Sequence, residues 1–164
     1  PATLTTLAEG VVARAGAPVL YPMTAVHDVE GCYRVTHVEA PENATASSRS
    51  TDPLWEAARQ AQRIAEERLD REAGVSRGRV AIIVGAQRAR AWGADVDGET
   101  ALSERVALLS ANASKGLEFD SVVLVEPGEI MSDGIGDLFV ALTRATHDVH
   151  VVHVGQLPAG MEEW

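Results

Sequence analysis

Four short runs constrain this chain more than anything else in it: RVAIIV at 79–84, RVALLS at 105–110, SVVLVE at 121–126 and DVHVVHV at 148–154. A hairpin strand with one wet face alternates apolar and polar residues, whereas a strand covered on both faces reads as a continuous run of Val, Ile and Leu. The four runs are of the second kind and predict buried parallel strands. A further strand is expected at roughly Tyr33 to Val38. Parallel neighbours need crossovers long enough to hold a helix. Between the last two runs, an Asp/Gly-rich turn and a helical segment from about Ile135 to Thr146 have the required length.

Two other helices are legible. Leu4, Leu7, Ala8, Val11, Val12 and Ala15 recur at helical spacing, and Gly16 follows as a stop. Thr51 or Asp52 can cap a second helix, Pro53 suits its first turn, and Leu54, Ala57, Ala58, Ala61, Ile64, Ala65 and Leu69 form one apolar stripe until Gly74. The stretch PENATASSRST at 41–51 reads as a polar loop. Its Asn43-Ala44-Thr45 has the form of a glycosylation acceptor, without meaning in a chain that shows no secretion signal. The expected architecture is α/β: a three-layer domain with a mostly parallel sheet, one unit over residues 1–164.

Composition narrows the function classes. No apolar run approaches the roughly eighteen residues of a membrane span, and the single cysteine, Cys32, has no partner for an internal disulfide. A cytoplasmic protein is expected. Because the chain opens on Pro1 without a signal segment, it reads as a fragment of a longer protein. Net charge is −10, and residues 101–164 hold ten Asp or Glu against Arg105, Lys115 and Arg144. A phosphate-gripping surface needs clustered cations, so the chain alone should bind DNA or RNA poorly.

Within SANASKGLEFDSVVLVEP, Lys115 is the only lysine among fourteen basic residues. It sits just after the run RVALLS, and ligands of open α/β sheets gather beyond the carboxyl ends of strands. The hexapeptide SKGLEF allows two readings: a ligand loop, or a turn in which Gly116 supplies a permissive backbone and the charges are solvated. In FVALTRAT, residues 139–146, helical spacing puts Arg144 on a face with Asp137 and Ala141, away from Leu138, Leu142 and Ala145. An arginine on a rigid element can stabilise phosphoryl charge in trans to a phosphate loop; it can equally be an ordinary surface arginine.

Taken together, KGLEF followed about 25 residues later by VALTRA, each tied to an apolar strand, resembles motifs V and VI of the UvrD/Rep/PcrA-type superfamily 1 helicases. The similarity is close over 105–154. It is weaker further back, where RVAIIVG resembles the strand of the motif IV region and the opening helix resembles the one after that family's Asn-Tyr-Arg segment. The resemblance implies a RecA-like C-terminal motor domain, the second of a pair that clamps ATP and Mg2+, with both held mainly by a preceding N-terminal RecA-like domain. It further implies that Glu118 contacts the nucleotide ribose, that Arg144 reaches the γ-phosphate as an arginine finger, and that Ser110 and Asn112 stand where the family's Thr-x-His touches single-stranded nucleic acid. Lys115 and Gly116 would shape the loop that couples these two surfaces.

The departures from that pattern are specific. No G-x-x-x-x-G-K-[ST] phosphate loop exists in the chain, so the isolated fragment should not hydrolyse ATP. Gly85 stands where an arginine is usual, Phe139 where a tyrosine is common, and Asn112 where a histidine is. The gap of about twenty residues between RVAIIVG and RVALLS leaves no room for the family's 2B domain. That short gap, with the acidic balance and VEP after the loop, is more like the HelD-type branch, whose partner is RNA polymerase.

Other candidates are weaker. His147, His150 and His153 fall on opposite faces of one strand and cannot converge on a metal, so no metal site is expected. Glu126 suits an edge or capping role. Trp55, Trp92 and Trp164 are scattered and form no stacking ladder.

Overall fold

The computed structural model describes residues 1–18, 30–39, 48–95 and 98–162; the Asn43-Ala44-Thr45 acceptor, the first part of the polar loop and Trp164 lie outside these. Five strands form one sheet: β1 (Tyr33–His37), β2 (Val80–Val84), β3 (Val106–Ser110), β4 (Phe119–Val125) and β5 (Ala145–His153). Their order is β1-β5-β4-β2-β3, and every pairing is parallel. The sheet is thus wholly parallel rather than mostly so. The apolar runs account for this, because β2 and all of β4 but Asp120 are buried, which requires cover on both faces.

That cover is two helical layers. Helix α1 (Ala2–Arg14) packs on one face with α4 (Pro127–Asp133) and α5 (Ile135–Leu142), while α2 (Pro53–Ala73) and α3 (Ala86–Trp92) lie on the other. Strand residues serve the layers alternately: Val122 and Leu124 join the first core, Val123 and Val125 the second. In α2 the Asp52 side chain accepts from the Leu54 N–H at 3.1 Å and Pro53 fills the first turn, as the sequence indicates. Ala58, Ala61 and Ala65 are buried between Leu54 and Leu69, so the helix lies close against β2, β4 and β5. Burial of each of those leucines contributes about 1.5–3 kcal/mol.

One charged cluster is buried beneath the C-terminal half of α2. Asp148, with no exposed surface, accepts from Arg34 at 2.6 Å, from Arg68 through both guanidinium nitrogens, and from the Ser121 hydroxyl. It fastens β1, α2 and β4 to β5.

Three elements differ from expectation. The helix predicted to reach Thr146 ends at Leu142, and β5 starts at Ala145, earlier than the apolar run suggests. The Leu138, Leu142, Ala145 stripe continues the helical period by coincidence: Ala145 is buried because it pairs with Phe119, whose N–H donates to the Arg144 carbonyl at 3.0 Å. The Asp/Gly-rich turn is instead mostly helix α4, started by Pro127 and anchored by fully buried Ile130. Helix α3 has only seven residues, too few to show a period in sequence. Among the described residues no helix is long and apolar enough to cross a membrane.

Candidate functional site

Strand β4 lies parallel to β3 with β2 between them, so residues 111–118 must carry the chain from the carboxyl end of β3 back to the amino end of β4. This return is held by local bonds. Ser110 Oγ accepts from the Ala113 N–H at 3.1 Å, and the buried Ser114 hydroxyl donates to the Ala111 carbonyl at 2.7 Å, closing a single 3-10 turn over Asn112–Ser114. Gly116 then adopts φ 78°, which allows the chain to turn towards β4.

Lys115 is neither free nor merely solvated. Its Nζ lies 2.8 Å from Asn112 Oδ1 and 2.9 Å from Asp137 Oδ1 in the first turn of α5. The one lysine thus ties the return segment to the helix that leads to Arg144.

Arg144 follows the last turn of α5 instead of standing on its face, and Ala141, expected beside it, is fully buried. Its guanidinium donates to three acceptors: Val140 O from Nε at 3.1 Å, Leu117 O from Nη1 at 3.1 Å and Thr143 Oγ1 from Nη2 at 3.3 Å. Leu117 directly precedes the exposed Glu118. Arg144 thus lies against the residue before Glu118, at the amino ends of β4 and β5 rather than at the carboxyl edge. Ser110 and Asn112 remain at the carboxyl end of β3, with Lys115 and Gly116 between the two sets.

The carboxyl edge has a topological switch between β2 and β4, where the crossovers leave to opposite faces; ligands of such sheets favour that crevice. Here the protein fills it. Asp133 Oδ2 accepts from the Ala86 N–H at 2.7 Å at the start of α3, and Glu129 grips Arg88 through two bonds of 3.0 and 2.6 Å. Arg88 also pairs with Asp52, which accepts from Trp92 Nε1 at 3.1 Å. Burial works against the Arg88 charge, yet the Glu129 and Asp52 carboxylates outweigh it and hold the guanidinium pKa above its ordinary value. Sequence reasoning missed this cluster. Only the Asp52 cap was visible, and its partners Arg88 and Trp92 lie 36 and 40 residues downstream.

The histidines bond to their surroundings separately. His150 Nε2 lies 2.8 Å from Thr36 Oγ1, whereas His153 Nδ1 lies 2.7 Å from the Gly155 carbonyl and its ring meets His37 edge-on. Among the described residues no three His, Cys, Asp or Glu side chains gather as a metal-ligand group. Glu126 serves as a cap: its carboxylate accepts from the N–H groups of Val154 and Gly155 after β5. Two of the scattered tryptophans come together, with Trp55 edge-on to Trp92 at 5.1 Å between ring centroids.

Among solved structures, the C-terminal domain of a possible DNA helicase from Lactobacillus plantarum WCFS1 is similar, with a TM-score of 0.52 and 19% identity, over 97% of this chain and 88% of that one. This chain shares the fold of that domain. No family model matches the sequence, and no curated protein matches it. The likeness is one of architecture, and it runs through nearly the whole chain: helices α1 to α5 and all five strands belong to a single α/β/α sandwich. In that frame the loop 111–118 and the α5–β5 turn bring Arg144 to Leu117.

Proposed function

We propose that the chain is the second motor domain of an ATP-dependent superfamily 1 helicase or translocase, a RecA-like unit that supplies an arginine finger and a nucleotide-sensing loop to a facing N-terminal RecA-like domain. The observation that carries this reading is the Arg144 guanidinium on the Leu117 carbonyl, one residue from exposed Glu118. A cation and a carboxylate at one rim suit a role in trans. Because the sequence carries no phosphate loop, ATP and Mg2+ would be held chiefly by the partner domain.

When bound, ATP supplies the phosphoryl group whose transfer becomes more negative at its equatorial oxygens in the transition state. The chain's own contribution is positioning. Arg144 would exchange the Leu117 carbonyl for a phosphate oxygen when the interdomain cleft closes, placing positive charge where it is needed only then. Glu118 is exposed to accept a ribose hydroxyl. Lys115, fixed to Asn112 and Asp137, would transmit the movement of this rim to Ser110 and Asn112, where a single-stranded nucleic-acid backbone would lie.

ATPase assays of a two-domain protein that joins this chain to a phosphate-loop domain test the reading. Arg144→Ala should abolish turnover and leave nucleotide binding largely intact; full turnover in that variant would refute the assignment.

A second reading has an observation in its favour. Lys115 pairs with Asp137, so its charge is already answered beside the Ser110–Asn112 end, in a chain of net charge −10. That balance suits a non-catalytic module or a HelD-like polymerase-associated ATPase module. Polymerase binding, compared with oligonucleotide binding at low and high salt, separates the two.

A further inference from the structure

Among the described residues, the α2 side of the sheet leaves part of edge strand β3 uncovered. Val106 and Leu108 are half-buried there, and with buried Ile82 they floor an open cavity of about 440 Å3 between β3 and the first turns of α2. Trp55 forms its wall. The Arg49 and Arg59 guanidinium carbons lie 5.1 and 5.8 Å from the Trp55 ring centroid, and Asp95 and Glu104 complete the rim.

The wall is braced from behind. Trp55 rests edge-on against fully buried Trp92, and Arg49 is anchored to the Trp92 and Gly93 carbonyls, the latter at 3.0 Å. Arg59 and Glu104 form no ion pair among the described residues, so a cation and an anion both face this opening without a charged partner. The volume lies within the roughly 300–1,000 Å3 of ordinary ligand pockets.

We propose that this cavity docks a protein segment carrying one large apolar side chain, Phe or Leu, with an acidic residue on one side of it and a basic residue on the other. The aliphatic floor and the indole wall take the apolar group. The acidic residue meets Arg49 and Arg59, and the basic residue meets Glu104, while Asp95 is held by the Gly98 and Ala101 N–H groups. Trp and Arg are the residues most often found at energetic hot spots of protein interfaces, especially when packed around a central anchor. A nucleic-acid backbone fits less well, because every phosphate brought to the arginines also approaches two carboxylates on a chain of net charge −10. The site uses none of the residues assigned to the motor reading and does not depend on it.

The test is titration of the 15N-labelled chain, read at its tryptophan indole N–H signals. The probe is the synthetic peptide Glu-Glu-Ala-Phe-Ala-Lys-Lys; the controls are the same peptide with Ala for Phe, and a dT oligonucleotide. The expected result is a saturable shift centred on the Trp55 indole, with at least tenfold weaker binding of the Ala peptide. Arg59→Glu, a surface change, should weaken the Phe peptide at least fivefold while the other indole signals keep their positions. Equal binding of both peptides, or shifts away from Trp55, would overturn the proposal. So would a Trp55 shift with the oligonucleotide in place of the peptide, or a Trp55 shift that follows protein concentration alone, since these assign the cavity to nucleic acid or to a second copy of the chain.

Discussion

The Arg144 guanidinium donates to the Leu117 carbonyl at 3.1 Å across 27 residues of sequence. That bond joins the turn before β5 to the loop before β4, at the residue next to Glu118. Arg144→Ala in a two-domain motor should reduce turnover by about a thousandfold or more, the usual worth of an arginine finger, with nucleotide affinity little changed. Arg144→Lys should not rescue it, because an ammonium lacks the planar fork that serves three acceptors here. Steady-state ATPase and nucleotide-binding measurements on the same variants check both statements.

Asp148 answers two guanidinium groups and a hydroxyl from full burial. Asp148→Ala would leave Arg34 and Arg68 without their shared carboxylate under α2. Arg34 is partly exposed and Arg68 keeps Glu72 at 3.8 Å, so the cost should fall short of the about 3–5 kcal/mol of a fully buried pair, while the urea midpoint still drops. A loss below about 1 kcal/mol would show that solvent reaches the cluster.

His150 adds a pH dependence of known sign. Burial, and then the nearby Arg34 charge, hold its pKa below the ordinary 6.5, only partly opposed by Asp148. The unfolded chain therefore binds a proton that the folded chain resists, and stability rises with pH through that interval. The contribution is complete above the unfolded value and is lost as pH falls from there towards the lowered folded value. Urea midpoints measured from about pH 8 to about pH 5.5 should decline, and His150→Gln should flatten the decline.

Gly116 and Gly98 both have φ 78°, but their surroundings differ. A Cβ on Gly116 would meet nothing within 4 Å, whereas one on Gly98 would lie 2.9 Å from the Ala113 carbonyl oxygen. Gly116→Ala should cost only the backbone strain, about 1 kcal/mol. Gly98→Ala should cost clearly more, because Ala113 belongs to the 3-10 turn and cannot yield without moving it. Thermal or urea unfolding of the two variants orders them.

The sheet was legible because burial on both faces writes itself into consecutive residues: Val80 to Val84 and Ser121 to Val125 needed no partner to be read as strands. Helix α2 was legible from its period and its cap. The candidate site was legible as a set of names, with Glu118, Arg144 and Lys115 recognised by their neighbours in KGLEF and VALTRA. Their geometry was not. Nothing in FVALTRAT says that the helix stops at Leu142, since Ala145 keeps the helical period and only its pairing with Phe119 draws it into β5.

Local sequence settles what local energies control: strand propensity, helix period, a capping carboxylate, and a glycine where φ must be positive. The sequence by itself therefore determined an α/β domain with parallel strands, and it singled out Glu118 and Arg144 as candidates for one rim. Tertiary structure alone decided that this rim lies at the amino ends of β4 and β5, that Lys115 is neutralised by Asp137, and that Arg88 and Asp148 sit in buried clusters. The place of the rim depends on strand order, and the ion pairs depend on charges brought together from separate segments of the chain. In water the attraction between charges is only about 1 kcal/mol even at 4 Å, and it becomes decisive only after the apolar core has set the distances.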